Sequence, residues 1–93
     1  MKEQIREGRV LVDFYADWCG PCKMLARELT KFEQEQDLVK VVKVNVDDED
    51  NVEMARAFGV RSIPAVFYLE NGEVINKHIG TATLQKLKDL TNT

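Results

Sequence analysis

An α/β fold of the order βαβαββα, with a four-stranded mixed sheet flanked by helices on both faces, is what this sequence predicts. Three observations carry it. Short apolar runs rich in β-branched residues alternate with segments whose apolar residues recur every three or four positions. That alternation marks strand–helix–strand units, which pair their strands in parallel through right-handed crossovers. Asn71-Gly72, between two further strand-like runs, is a strong hairpin signal, and a hairpin is antiparallel. The chain has 93 residues, less than a usual domain length, so one domain over 1–93 is expected.

Residues 2–8 suit a short helix, with Ile5 as its apolar anchor and Gly8 as its stop. Residues 10–15, VLVDFY, read as a buried strand, because nearly every side chain is β-branched or large and apolar. Residues 16–20 are a loop. Pro21 suits the first turn of a helix, where its missing N–H is harmless. That helix spans 21–36, with Leu25, Leu29 and Phe32 on one stripe, Met24 and Ala26 beside them and charges on the other face. Asp37 ends it, and 38–46 form a second buried strand. Residues 47–50 lead into a short helix with Val52, Ala55 and Phe58 on one stripe and Gly59 as its stop. Residues 65–69 are the third strand and 74–79 the returning one. After Gly80, a Thr-rich junction opens a last helix carrying Leu84, Leu87 and Leu90.

Composition narrows the function. Lys and Arg total 13 and Asp and Glu 16, a net charge of −3, which argues against a nucleic-acid partner. Apolar residues are 44% and charged residues 31%, ordinary globular usage. No apolar stretch is long enough to span a membrane. The opening MKEQIREGRV lacks the apolar block of a secretory signal, so a cytoplasmic protein with no membrane partner is expected.

The two cysteines, Cys19 and Cys22, sit in Trp-Cys-Gly-Pro-Cys. A disulfide between them closes too small a loop to constrain the unfolded chain much, which makes a structural staple a poor explanation. Structural zinc wants four Cys or His ligands, and this chain offers two Cys and the distant His78, so a metal would need a second chain. A redox pair remains. The motif follows the first strand, at its carboxyl end, where open α/β sheets place their ligand sites. Cys19 stands just before a helix whose unpaired N–H groups and partial positive charge stabilise a thiolate, so its pKa should fall. Cys22, inside the first turn, should point inward. The expected pair is one exposed attacker and one shielded resolver, with Gly20 and Pro21 keeping the turn tight. No metal or organic cofactor is needed for the exchange.

Asp13 interrupts an apolar strand, where a charge is expensive, and Lys43 does the same in the second strand. Either they form a pair, direct or through water, or both are exposed edge residues. In the first case burial raises the Asp13 pKa, Lys43 opposes it, and Asp13 is a candidate base for Cys22. His78 reads as a surface residue, far in sequence from every motif. The acidic run 47–50 lacks the spaced ligands and central Gly of a calcium loop and suits the start of a helix instead. Lys23, Arg27 and Lys31 read as solvated charges, and Met54, Phe58 and Phe67 as core.

Taken in order, VDFYADWCGPC at 12–22, KVNVD at 43–47, VRSIP at 60–64, Asn71-Gly72 and Gly80 resemble the thioredoxin family over nearly the whole chain. A lone Cys-x-x-Cys is weak; the ordered set is specific. The resemblance implies the thioredoxin-like fold and a thioredoxin-type protein-disulfide reductase in which Cys19 attacks and Cys22 resolves. It implies that Pro64 is the family's cis-proline facing the sulfurs, and that the backbone of Ile63 pairs with a client's extended chain. Trp18, Ile63, Pro64, Ile79 and Gly80 then form a flat apolar patch for clients, with Gly20 and Pro21 of the motif beside them. Asp13 and Lys43 match the family's buried acid and its lysine neighbour. The implied partners are disulfide-containing client proteins and a thioredoxin reductase, usually an NADPH-dependent flavoprotein, acting on a monomer.

The chain departs from the family in two places. Members normally begin with an extra strand and a longer first helix, and only 12 residues precede Asp13 here, so four strands are expected. Tyr15 stands where many members have a tryptophan, which bears on packing more than on chemistry. The competing readings are an oxidase or isomerase using the same chemistry, a non-catalytic thioredoxin-shaped binding module, and a metal-bridged dimer.

Overall fold

The computed structural model describes residues 3–93. Its elements in chain order are a 3-10 turn at Glu3–Ile5, β1 (Arg9–Tyr15), α1 (Gly20–Glu35), β2 (Val39–Asn45), a second 3-10 turn at Glu49–Asn51, α2 (Val52–Ala57), β3 (Ala65–Glu70), β4 (Glu73–Ile79) and α3 (Leu84–Thr91). The four strands form one mixed sheet in the order β2-β1-β3-β4. β1 pairs with β2 in parallel and with β3 antiparallel, and β3–β4 is the antiparallel hairpin. Both hairpin residues take positive φ, 52° at Asn71 and 84° at Gly72, the backbone that a two-residue turn needs to match the twist of its strands.

Side chains alternate across β1, so the central strand feeds two cores. On one face Val12, Phe14 and Phe67 pack with Ile5 and with Met54 of α2. Phe14, Phe58 and Phe67 meet there as a tilted and edge-on trio with ring centroids 5.0–5.6 Å apart. On the other face Leu11, Val66 and Tyr68 lie beneath Leu25 and Leu29 of α1 and Leu87 of α3. Asp13 and Tyr15, two and four residues on from Leu11, share this second face, under the start of α1.

Four local expectations change. The helix expected over 2–8 is a 3-10 turn ending at the fully buried Ile5; residue 2 lies outside the described residues. Gly8 does stop it, at φ 75°. β2 starts at Val39, not at Leu38, which is exposed. The side-chain amide of Gln36 brackets Val39, accepting from its N–H at 2.7 Å and donating to its carbonyl at 3.0 Å, and this clasp sets the first strand residue. In α2 the 3-10 turn shifts the frame, so Val52 points outward and Met54, Ala55 and Phe58 carry the apolar contact. Lys43 does not lie in a buried run. It sits on edge strand β2 with its side chain exposed.

Candidate active site: the disulfide at the head of helix α1

Cys19 and Cys22 are joined as a disulfide, with Cα atoms 5.2 Å apart. Cys19 is the N-cap residue of α1, in extended conformation, and Pro21 occupies the first turn. The Cys19 Sγ accepts the Cys22 backbone N–H at 3.2 Å. Sulfur therefore occupies the place where a capping oxygen usually satisfies one of the helix's orphan donors. The expected contrast in exposure is absent in this oxidised form. Cys19 is 5% and Cys22 3% exposed, because Cys19 turns inward to cap the helix and Ala16, Tyr15, Val46 and Ile63 pack around the pair.

Behind the disulfide lies a cavity of about 180 Å³ lined by Asp13, Tyr15, Asp17, Cys22, Lys23 and Lys43. Asp13 is 1% exposed, and its Oδ1 has no hydrogen-bond partner among the described residues. Burial raises its pKa from 3.8 to about 6, and the positive charge of Lys43 works against that rise. The two readings of this pair thus divide: Asp13 is buried as expected of a paired group, while Lys43 is exposed. They are direct register partners across β1 and β2, but no ion pair joins them among the described residues. A polar cavity of this size has room for water between the carboxylate and Cys22.

The residues expected to form the docking patch come from three places. Trp18 is 72% exposed, and its indole N–H donates to Asp47 Oδ2 at 2.8 Å, which fixes the ring over a hollow of about 250 Å³ lined also by Val60, Arg61 and Ile63. The Ile63–Pro64 peptide bond is cis. The Gly80 N–H donates to the Pro64 carbonyl at 2.8 Å, and Ile79 pairs with Ala65 in the sheet and is half-exposed, so β4 brings Ile79 and Gly80 beside Pro64. Pro64 itself is buried, so its ring does not join the exposed patch as expected. Gly20 is exposed at the start of α1, next to Pro21.

His78 lies on β4, its Nε2 within 3.0 Å of the Thr81 carbonyl. Two contributions were not foreseen from sequence. Asp47 anchors Trp18 from 29 positions away, which no local pattern encodes. Tyr15 lines the Asp13 cavity, and the period-two alternation from Asp13 was the available signal. Among the described residues, no cluster of three or more His, Cys, Asp or Glu side chains is placed to hold a metal ion.

The family model for thioredoxin matches residues 1–93. The chain belongs to the thioredoxin family. It is 46% identical to the thioredoxin of Bacillus subtilis (strain 168) over 87 residues, which cover 92% of this chain and 82% of that one. It is 39% identical to the thioredoxin of Listeria monocytogenes over 92 residues, covering 98% and 87% of the two chains. Among solved structures, a mutant thioredoxin from Halobacterium salinarum superposes with a TM-score of 0.84 at 38% identity, covering 96% of this chain and 76% of that one. The reduced thioredoxin pre-protein of Schistosoma mansoni gives 0.81 at 34%, covering 97% and 82%. The thioredoxin fold, the Cys19–Cys22 pair and these relatives make the chain a thioredoxin-type protein-disulfide reductase, a thiol–disulfide oxidoreductase.

Proposed function

We propose that Cys19 is the attacking thiol and Cys22 the resolving one. The observation that carries this is the capping geometry: Cys19 sits where the N–H groups and dipole of a 16-residue helix converge, so its thiolate is the better stabilised of the two. The cycle balances as a two-electron exchange. The Cys19 thiolate attacks one sulfur of a client disulfide, forming a mixed disulfide and expelling a client thiolate that takes up a proton. Cys22 loses its proton to Asp13 and attacks Cys19 Sγ, which breaks the mixed disulfide. The second client sulfur leaves as a thiolate and takes up the proton released from Cys22, and the Cys19–Cys22 bond is restored.

Asp13 suits the base role because its pKa of about 6 keeps it largely ionised near neutrality yet able to hold a proton. Lys43 at the cavity wall favours the ionised carboxylate. Clients dock on Trp18, Ile63, Ile79 and Gly80 around the backbone of Ile63 and Pro64, with Gly20 and Pro21 at the turn. The oxidised pair is reset by a thioredoxin reductase, an NADPH-dependent flavoprotein. The 93 residues act as a single-domain, cytoplasmic monomer without a bound cofactor. No helix among the described residues is long and apolar enough to cross a membrane.

The deciding experiment is dithiothreitol-driven reduction of insulin by wild type, Cys19→Ser and Cys22→Ser. The expected result is no catalysis by Cys19→Ser and covalent client adducts with Cys22→Ser. Equal activity in all three removes catalysis by this pair. A strongly oxidising equilibrium against glutathione would reverse the direction of the reaction.

A further inference from the structure

The solvent face of α1 carries a cationic ridge beside the disulfide. Lys23, Arg27 and Lys31 recur every four residues and so line up along one side of the helix. Lys31 is tied to Glu28 Oε2 at 2.9 Å, and Glu28 Oε1 accepts the Leu84 N–H at 2.9 Å, so both oxygens of that acid are engaged. Lys23 and Arg27 have no ion-pair partner among the described residues. The ridge runs against the sign of the whole chain, which carries −3.

Between the ridge and residues 81–83 lies a groove of about 520 Å³ lined by Met24, Arg27, Glu28, Lys31, Thr81 and Thr83. Met24, 55% exposed, offers it a large apolar side chain. The groove adjoins the surroundings of the disulfide: Thr81 follows Gly80, whose N–H is bonded to Pro64, and Ile63 packs against the cysteine pair. The flank beyond Trp18 carries both signs: the exposed acidic run 47–50 begins at the carboxylate that holds the indole, and Arg61 lines the hollow beneath that ring.

We propose that the groove between α1 and residues 81–83 is a docking subsite for an acidic, extended stretch of the client polypeptide beside its disulfide, with Arg27 receiving a carboxylate and Met24 an apolar side chain. The inference rests on the reductase reading above and adds a substrate class to it. Arg27 lies eight positions beyond Cys19, roughly 12 Å along the helix. Extended chain at ~3.3 Å per residue covers that in about four residues. An acidic residue about four positions from the attacked cysteine therefore reaches the guanidinium, which can grip a carboxylate with two parallel bonds. Laid the other way, the same residue cannot reach Arg27, so the two directions across the disulfide are not equivalent.

The test uses disulfide-linked peptides with Glu, Gln or Lys at the third to fifth positions on one side of the cysteine, made separately for each side, and compares kcat/KM for their reduction. In the favoured direction the Glu peptide is expected to exceed the Lys peptide about fivefold, as for one strong exposed ion pair. Arg27→Glu is expected to invert that ratio, and 0.5 M salt to flatten it. The Gln peptide serves as each protein's internal reference, so a folding defect in the variant does not alter the ratio. Equal rates for all charges in wild type, or a ratio unchanged in Arg27→Glu, overturns the subsite and leaves the reductase reading standing. Failure of wild type to reduce any of the peptides overturns both.

Discussion

Asp13 and Lys43 stand directly opposite each other in the parallel β1–β2 pair, one sealed beneath the head of α1 and the other in solvent. The carboxyl is therefore desolvated with no ion-pair partner among the described residues, and burial outweighs the opposing charge of Lys43 in setting its pKa.

The first consequence is a pH-dependent stability. The folded pKa, about 6, lies above the ordinary aspartate value of 3.8. Between those values the folded state holds a proton that the unfolded state has released, so stability falls as pH rises through that window. The shift corresponds to about 3 kcal/mol of destabilisation once Asp13 is ionised. Asp13→Asn should remove this loss. Denaturant midpoints of the oxidised protein at pH 4, 5 and 7 are expected to show the variant gaining on wild type as pH rises. A pH-independent difference would falsify the desolvation argument.

The same substitution bears on the chemistry. Asp13→Asn is expected to slow release of the mixed disulfide by about tenfold or more, within the usual scale of lost general-base help. Single-turnover release measured over pH 6–9, roughly the range in which thiols titrate, is the check. An unchanged rate across that range removes Asp13 from the mechanism.

Cys19 should be an acidic thiol in the reduced protein. Its sulfur sits on an orphan helix donor, and alkylation by iodoacetamide is expected to titrate at least about one unit below the ~8.5 of free cysteine. A midpoint at the free value would remove the helix from the account of its reactivity.

Trp18 is held by one exposed hydrogen bond, from its indole to Asp47. Asp47→Ala should leave stability within about 0.5 kcal/mol, as surface changes usually do, while loosening the ring. The expected readouts are a shift in Trp18 fluorescence, which reports the only tryptophan of the chain, and a severalfold fall in kcat/KM on protein clients. Unchanged values for both exclude a positioning role for Asp47.

The far end of the sheet depends on Arg9. Its Nε donates to the hydroxyl of the buried Tyr68 at 2.6 Å, its Nη2 donates to the Thr91 carbonyl, and its guanidinium lies over the Tyr68 ring. The Tyr68 hydroxyl in turn donates to Glu70 Oε2 at 2.7 Å. Arg9→Ala breaks charge-assisted bonds worth about 1.5–3 kcal/mol each and leaves the Tyr68 hydroxyl with Glu70 as its partner. A loss of about 2–4 kcal/mol in urea unfolding is expected, against roughly 1 kcal/mol for Tyr68→Phe, which keeps the packing. Equal small losses would assign the network to the surface.

Most of the fold was legible because its signals are local. The runs 10–15 and 65–69 are apolar on both faces, as central strands are, and Asn71-Gly72 names its own turn. The misreadings fall where tertiary contacts decide. Val52 sits on an apolar spacing, but the 3-10 turn at Glu49–Asn51 rotates α2 so that Met54 takes the buried place. Lys43 looked like a break in a buried run because sequence does not say which strand lies at the edge. In the site, the cysteine pair and its place at the head of α1 were readable from Cys-Gly-Pro-Cys after a strand. The tie between Trp18 and Asp47 was not, because it joins loops from different crossovers. Exposure of Cys19 was misjudged because a sulfur that caps its own helix folds inward.

The Arg9–Thr91 link also decides where the molecule can be tethered. Arg9 opens β1, while Cys19 lies beyond the other end of that strand, which is ~20 Å away along its axis. Thr91 closes α3 beside Arg9, and Gly8 is bonded to Asn71 of the hairpin at the same pole. A carrier, tag or neighbouring module joined through either segment leaves from the pole remote from the sulfurs, so grafting this unit onto another scaffold presents its reactive tip outward.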